Sequence, residues 1–171
     1  MPTTPATTVL PMTWVDAFTA TPFGGNQCVV VFGADHVDDA MRTAFTRETG
    51  LSECAFLQAS TIADVGVRYH TASGEIPMAG HPTIATVTAM LDRGMVSLVA
   101  GRAAFTLEVG AGVLDIEVDA TGDGAPLVTM RQLRPTFGRT WDPADIAPLV
   151  GLDPADFRAR PQTVSTGTAF L

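Results

Sequence analysis

One segment of the sequence, 82–93, carries apolar or small side chains on every side, and this feature constrains the fold more than any other. Its periodicity and the proline at its first position predict a helix from Pro82 to Arg93. Before Asp92, its only polar side chains are threonines. A helix without a polar face is buried on every side. We therefore expect the rest of the chain to surround this helix.

The segments around this helix have the side-chain patterns of strands. Apolar runs and apolar–polar alternation predict strands at 28–32, 53–58, 63–70, 105–109, 114–118 and 127–131. The strands at 105–109 and 114–118 are expected to form a hairpin, and residues 71–79 a loop. A further helix is expected after the turn at 33–35, with Asp38 and Asp39 in its first turn and its end at Gly50. Its predicted apolar face consists of Val37, Ala40, Met41, Ala44 and Phe45. These patterns predict an α+β fold in which an antiparallel sheet rolls around one central buried helix. Residues 1–11, rich in Thr and Pro, are expected to form a disordered lead-in.

The composition argues against several classes of protein. Of the 171 residues, 46% are hydrophobic and 16% are charged, which is too apolar for a disordered chain. The net charge is −8 and the chain has no lysine, so nucleic acid is not an expected partner, because neutralising phosphates needs clustered basic residues. No apolar stretch is long enough to span a bilayer, and no membrane contact is expected.

The two cysteines, Cys28 and Cys54, indicate a reducing compartment. They are too few for a disulfide framework and lack the spacing of metal ligands. We therefore expect a cytoplasmic protein without a metal site.

Glu53 is the first candidate for chemistry. It opens a predicted strand that is apolar or small on both faces, so its carboxylate should be largely removed from water. Burial raises the pKa of a carboxyl group, and a raised pKa suits a general acid or base that works near neutral pH. A buried ion pair with an arginine such as Arg68 in the next strand explains the same residue equally well.

Two further clusters have binding-site character. Gly24, Gly25 and Asn26 precede a buried strand and permit close approach of a ligand to the backbone, although a plain tight turn is the favoured interpretation. Gly80 and His81 lie at the start of the predicted buried helix, where free N–H groups can bind a carboxylate without any lysine. A capping or core histidine is the alternative for His81.

Together, the motifs GGNQCVVVF, LSECAFL and EIPMAGHPTIAT resemble the N-terminal half of PhzF-like proteins, the phenazine-biosynthesis isomerase family. The resemblance extends from Thr13 to the last residue and implies a diaminopimelate-epimerase-like fold of two similar halves. We expect residues 12–162 to form the N-terminal epimerase-like domain. Residues 163–171 would then begin the second half or form its crossover strand.

The resemblance also implies roles for individual residues. Glu53 matches the family's catalytic glutamate, which moves a proton on a small cyclic carboxylic acid such as dihydro-3-hydroxyanthranilate, without a cofactor. Asn26, Gly80, His81 and Pro82 match positions that hold the substrate in the cleft between the halves. In related epimerases a catalytic cysteine stands where this chain has Ala79, which disfavours a two-thiol racemase.

Three functions remain open, in the order isomerase, amino-acid epimerase or racemase, and non-catalytic metabolite-binding domain. The family's acid motif of the second half has no counterpart in these residues. We therefore expect the cleft to be completed by a complementary C-terminal-half polypeptide or by a homodimer mate.

Overall fold

A computed structural model of the chain describes residues 9–171, which form two compact units, 9–131 and Gln132–Leu171. The predicted lead-in falls mostly on residues 1–8, outside the described residues. At its described end, Leu10 packs against the core and the Pro11 carbonyl accepts a hydrogen bond from the Phe32 amide. The domain boundary expected at 162/163 stays a prediction.

The first unit contains a mixed sheet and two α-helices. Its strands are β1 (Met12–Ala17), β2 (Asn26–Val31), β3 (Cys54–Gln58), β4 (Val65–Thr71), β5 (Gly74–Ile76), β6 (Arg102–Val109), β7 (Gly112–Asp119) and β8 (Leu127–Arg131). Its helices are α1 (Asp39–Thr49), α2 (Gly80–Asp92) and a short 3-10 helix (Ala34–His36). The short strand β5 lies in a stretch for which the sequence predicted only a loop, because three residues carry too little pattern to detect.

The strand order is β1-β2-β3-β4-β6-β7-β8, and β5 pairs with β4. Most pairings are antiparallel, including the predicted hairpin of β6 and β7, in which Leu107 stands opposite Leu114. Two pairings are parallel, β2 with β3 and β4 with β6, because helices α1 and α2 carry the chain across between the paired strands. The sheet is therefore mixed rather than wholly antiparallel.

Helix α2 lies at the centre of this sheet. It contacts β1, β2, β3 and β8, and since β1 and β8 end the strand order, the sheet is curled around the helix. This confirms the predicted α+β architecture. The helix begins at Gly80, two residues before Pro82, and one side is not fully covered: Thr88 is exposed, and Ile84 is partly exposed. The expectation of burial on every side was wrong because the two end strands leave that side open.

Helix α1 packs on the other face of the sheet through buried polar side chains and through Phe45, whose ring lies edge-on to Phe56. Its N-terminus is capped by Asp38, whose Oδ1 accepts a hydrogen bond from the Met41 amide at 2.7 Å, and Gly50 ends it with φ 70°. The buried positions of the helix are Arg42 and Thr46, whereas Met41 is exposed. Of the predicted apolar face, Ala40, Met41 and Ala44 are exposed, whereas Phe45 packs against the core. The helix ends at Gly50 as predicted, but it begins at Asp39, so Asp38 is its cap and not part of its first turn.

The second unit contains the strands β9 (Thr136–Thr140), β10 (Gln162–Ser165) and β11 (Ala169–Phe170), with helix α3 (Pro143–Val150) and a 3-10 helix (Pro154–Asp156). The strands form a small sheet in the order β11-β10-β9. Both cysteines are in the first unit, buried and free. Over residues 9–171, no helix has the length and apolar character needed to cross a membrane. The cytoplasmic location stays a prediction.

Candidate active site

Glu53 stands immediately before β3, at the end of the sheet where the parallel strands β2 and β3 both begin. Its side chain is only 22% exposed, and Oε2 is shielded from water and has no hydrogen-bond partner among the described residues. The two neighbours of Glu53 along the strand direction, Cys54 and Ala55, are fully buried. A mostly buried carboxylate therefore stands at the start of β3.

His81 is the second residue of helix α2 and faces Glu53. Its Nδ1 lies 3.7 Å from Oε2 of Glu53, longer than a hydrogen bond, and its side chain is 10% exposed. Nε2 of His81 is also shielded from water and without a hydrogen-bond partner in the described part of the chain. Buried polar atoms without partners are costly and uncommon, and a catalytic role or a bound water or ion is among the physical reasons for them.

Burial raises the pKa of the Glu53 carboxyl above its usual value, and the neighbouring His81 opposes this shift to a smaller extent. The raised pKa lies closer to neutral pH than the pKa of an exposed carboxyl does. Near its pKa, one group can both take up and release a proton. This agrees with the expectation drawn from the sequence for Glu53.

The start of helix α2 provides a positive electrostatic end beside this carboxylate. Ala79 is the N-cap residue and supplies no side-chain cap, so the partial positive charge of the helix end faces outward at Gly80 and His81. A Cβ added to Gly80 would meet no atom within 4 Å, which means that the space over this residue is open. Pro82, the next residue, is buried and packs inside the unit.

Tyr69 and Thr83 fix the start of helix α2 by hydrogen bonds. Thr83 Oγ1 lies 2.6 Å from the Ala79 carbonyl and 2.7 Å from the Tyr69 hydroxyl, which reaches up from β4. All three residues are buried. The sequence analysis did not predict these hydrogen bonds. A tyrosine within a buried strand requires a hydrogen-bond partner, so the residue type alone indicated that one was needed.

The ion pair suggested as an alternative for Glu53 does not form. Arg68 lies on the opposite face of the sheet, where its Nε is 3.6 Å from Glu75 and its Nη2 donates to Glu108. Adjacent strand residues point to opposite faces. The partner of Glu53 is therefore His81 and not Arg68.

The loop between β1 and β2 brings Asn26 to the same end of the sheet as Glu53. Asn26 begins β2 and is exposed, and because β2 runs parallel to β3, its backbone lies on the side where Glu53 stands. Gly25 has a structural reason to be glycine: a Cβ there would lie 2.3 Å from the Ala17 carbonyl oxygen. Gly25 therefore lets the loop pass close to the backbone of β1. This supports the interpretation of a tight turn rather than of a ligand contact.

Neither cysteine offers a thiolate to this site. Burial raises the pKa of the Cys28 thiol far above its usual value, which keeps the group protonated. Cys54 faces helix α1, where its Sγ lies 3.6 Å from Thr49 Oγ1. Glu53 and His81 therefore face each other at this end of the sheet without a thiol beside them.

Comparisons with known proteins agree with this fold and these motifs. Residues 15–169 match the family model of phenazine biosynthesis-like proteins, PhzC-PhzF. The uncharacterized isomerase YfhB of Bacillus subtilis (strain 168) is 33% identical over 144 residues, which are 83% of this chain and 47% of that protein. The trans-2,3-dihydro-3-hydroxyanthranilate isomerase of Pseudomonas fluorescens is 28% identical over 144 residues, 84% of this chain and 50% of that protein.

Among solved structures, that of a predicted epimerase from Pseudomonas aeruginosa superposes with a TM-score of 0.78 at 28% identity, over 94% of this chain and 57% of that one. The chain spans about half the length of the curated relatives it matches. The match to the family model extends over most of the chain and includes all three motifs. The chain therefore belongs to the PhzC-PhzF family of phenazine biosynthesis-like proteins.

Proposed function

We propose that this chain forms the catalytic half of a cofactor-independent isomerase that moves a proton on a small cyclic carboxylic acid. The observation that carries the proposal is the partly buried Glu53 carboxylate, with a raised pKa, 3.7 Å from His81 at the start of helix α2. A dihydro-3-hydroxyanthranilate-like compound or another ring acid of secondary metabolism is the proposed substrate class, since a relative is a trans-2,3-dihydro-3-hydroxyanthranilate isomerase.

The proposed chemistry needs one group that both accepts and returns a proton. In its ionised form, Glu53 takes a proton from one ring carbon, the double bonds shift, and the same carboxyl returns a proton at another carbon. Substrate and product have the same composition, so the step needs no oxidant or reductant. A carboxyl whose pKa is raised by burial suits both halves of this exchange.

The substrate's own carboxylate has a counterpart in the same site. The N-terminus of α2 carries positive partial charge at Gly80 and His81, and no side chain caps it. We propose that Gly80, His81 and Asn26 hold the substrate there, with Pro82 shaping the first turn of the helix. In a chain without lysine, a helix end is a fitting site for an anion.

We propose that activity requires a second wall of the cleft, from a C-terminal-half polypeptide or from a second copy of this chain. The relatives are about twice as long as the stretch that they share with this chain. Proton transfer to carbon is favoured where bulk water is kept out, which a single wall cannot achieve.

The test is solvent-deuterium exchange into a ring acid such as trans-2,3-dihydro-3-hydroxyanthranilate, followed by mass spectrometry. We expect Glu53→Gln to bind the compound but to lose exchange by at least about 100-fold, the usual weight of a general acid or base. Glu117→Gln is the matched control, because Glu117 is exposed on β7. Exchange that survives Glu53→Gln undiminished would remove Glu53 from the mechanism.

Native mass spectrometry of the same material tests the need for a second wall. We expect exchange to accompany a dimer or a complex with a complementary chain. A stable monomer that binds the acid without exchanging its protons would instead favour a non-catalytic binding domain.

A second candidate function is epimerisation of an amino acid through Glu53 alone. The structural likeness to a predicted epimerase favours it. The replacement of a cysteine by Ala79 weighs against it. Chiral chromatography of products decides between the two, because an epimerase inverts one stereocentre and leaves the ring double bonds in place.

A further inference from the structure

A second group of titratable side chains lies on the other face of the sheet from Glu53. His70 of β4 points toward helix α1, since its Nδ1 lies 3.0 Å from Thr43 Oγ1 and its ring stacks edge-on against Phe56. Its neighbour Tyr69 points the opposite way, to Thr83 of α2. The two faces are therefore separate, and the surroundings of His70 are independent of the proposed function.

Three possible metal ligands meet at this place. Asp39 is the first residue of α1, His70 is in β4, and Glu75 stands opposite His70 in the paired strand β5. Each offers one ligand atom, and these atoms all lie within 4.8 Å of one another. Nε2 of His70 is 3.8 Å from Oδ1 of Asp39.

The state of His70 makes the arrangement unusual. The side chain is fully buried, and Nε2 has no hydrogen-bond partner among residues 9–171 that the structure describes. Nε2 faces the Asp39 carboxylate at a distance longer than a hydrogen bond. A buried polar atom without a partner is uncommon in a folded protein, and a bound ion is one physical reason for it.

Among the described residues, neither Arg42 nor Arg68 forms an ion pair with Asp39. Arg42 donates to the Ala34 carbonyl and to Gln58 Oε1, and its positive charge acts on Asp39 and Glu75 only from a longer distance. Arg68 is shared between Glu108, to which it donates, and Glu75, whose Oε1 lies 3.6 Å from its Nε. The second oxygen of Glu75 remains for another partner, although Arg68 weakens its negative charge.

We propose that Asp39, His70 and Glu75 bind a divalent transition-metal ion of the zinc class. One imidazole nitrogen with two carboxylate oxygens suits Zn²⁺ or its first-row neighbours better than Mg²⁺ or Ca²⁺, which prefer oxygen alone. Bond lengths of about 2.1 Å place tetrahedral ligands about 3.4 Å apart. The 3.8 Å between Nε2 and Oδ1 is close to this, and the exposed Asp39 side chain is free to adjust. The hydrogen bond between Nδ1 and Thr43 Oγ1 fixes the orientation of the ring, as outer contacts of ligand histidines do.

The test is calorimetric titration of the metal-free full chain with Zn²⁺. Loss of even a supporting hydrogen bond weakens metal binding about 10- to 100-fold. We therefore expect Asp39→Asn and Glu75→Gln each to weaken Zn²⁺ binding by at least about tenfold. Both side chains are at least one-third exposed, so these variants should fold. The matched control is Glu48→Gln, an exposed residue elsewhere on α1, which should bind Zn²⁺ as the unmodified chain does.

Co²⁺ provides the second measurement. We expect visible d–d bands without a thiolate charge-transfer band, since the proposed ligands are nitrogen and oxygen. The proposal is overturned by a thiolate band, which would assign the metal to Cys28 or Cys54. It is equally overturned by an absence of saturable binding, or by affinities that are the same in both ligand variants and in the control.

Discussion

Burial of Glu53 carries a cost to folding at neutral pH, whatever its proposed role in proton transfer. Its carboxylate is removed from most of the surrounding water, and His81 offsets only part of the penalty. The folded state therefore binds a proton at Glu53 more tightly than the unfolded chain does. The contribution of this group to stability is fully present below the unfolded pKa of about 4.3, and it is lost as pH rises through the folded pKa.

This linkage predicts the effect of Glu53→Gln on stability. At pH 7 the variant should have a higher free energy of unfolding than the unmodified chain, because the buried charge is gone. The difference should shrink as pH falls and vanish near pH 4. Urea unfolding at several pH values measures it. A variant that is less stable at pH 7 would mean that attraction to His81 outweighs the burial of the carboxylate.

Gly80 permits a test of the helix end that leaves the fold intact. A methyl group at Gly80 would meet no atom within 4 Å, so Gly80→Ala should leave stability unchanged or raise it by less than about 1 kcal/mol. The same methyl group would occupy the space in front of the helix N-terminus. We expect KM for the ring acid to rise several-fold, with the solvent-exposed Gly122→Ala as control. An unaltered KM would argue against substrate binding over Gly80.

At the scale of elements, helix α1 departs most from its sequence pattern. The predicted face included Met41, which is 61% exposed, whereas Arg42 is 5% exposed. Arg42 is held by the Ala34 carbonyl at 2.9 Å, by Gln58 Oε1 at 2.8 Å and by the Phe56 ring at 5.7 Å from its centroid. A charged side chain can thus take a core-facing position when acceptors from other segments meet it there. Hydrophobic periodicity cannot register such partners.

Paired substitutions on α1 separate the two faces. Arg42→Ala should lower the free energy of unfolding by about 1–3 kcal/mol, because it leaves buried acceptors without a donor. Met41→Ala should change it by no more than about 0.5 kcal/mol, as expected of an exposed position. Chemical denaturation of both variants tests this difference. A larger loss of stability in Met41→Ala than in Arg42→Ala would support the face predicted from the sequence instead.

At the scale of the whole molecule, the two units differ in how many buried apolar residues they contain. The first contains nearly all of the buried apolar residues, whereas Ile146 and Ala147 are the buried hydrophobic side chains of the second among the described residues. Segments of about 40 residues seldom bury enough surface to be stable by themselves. The second unit should therefore be the less stable one.

The two tryptophans report on the two units separately. Trp14 is in β1, and Trp141 precedes α3, with its Nε1 donating to Thr163 Oγ1 at 2.9 Å. In single-tryptophan variants, Trp14→Phe and Trp141→Phe, we expect the fluorescence of Trp141 to change at a lower urea concentration than that of Trp14. Coincident transitions would show instead that both units unfold as one cooperative body.

The sequence by itself determined the central helix, the hairpin of β6 and β7, the end of α1 at Gly50 and the candidates Glu53 and His81. Each of these depends on local pattern: apolar periodicity, alternation, a capping residue, or a short motif with family likeness. Only the tertiary structure decided that His81 and not Arg68 faces Glu53, that Tyr69 and Thr83 anchor the helix start, and that α1 packs through Arg42. It alone brought together Asp39, His70 and Glu75. The physical reason is that strand pairing and the curl of the sheet set these distances, and residues far apart in the chain carry no local signal of them.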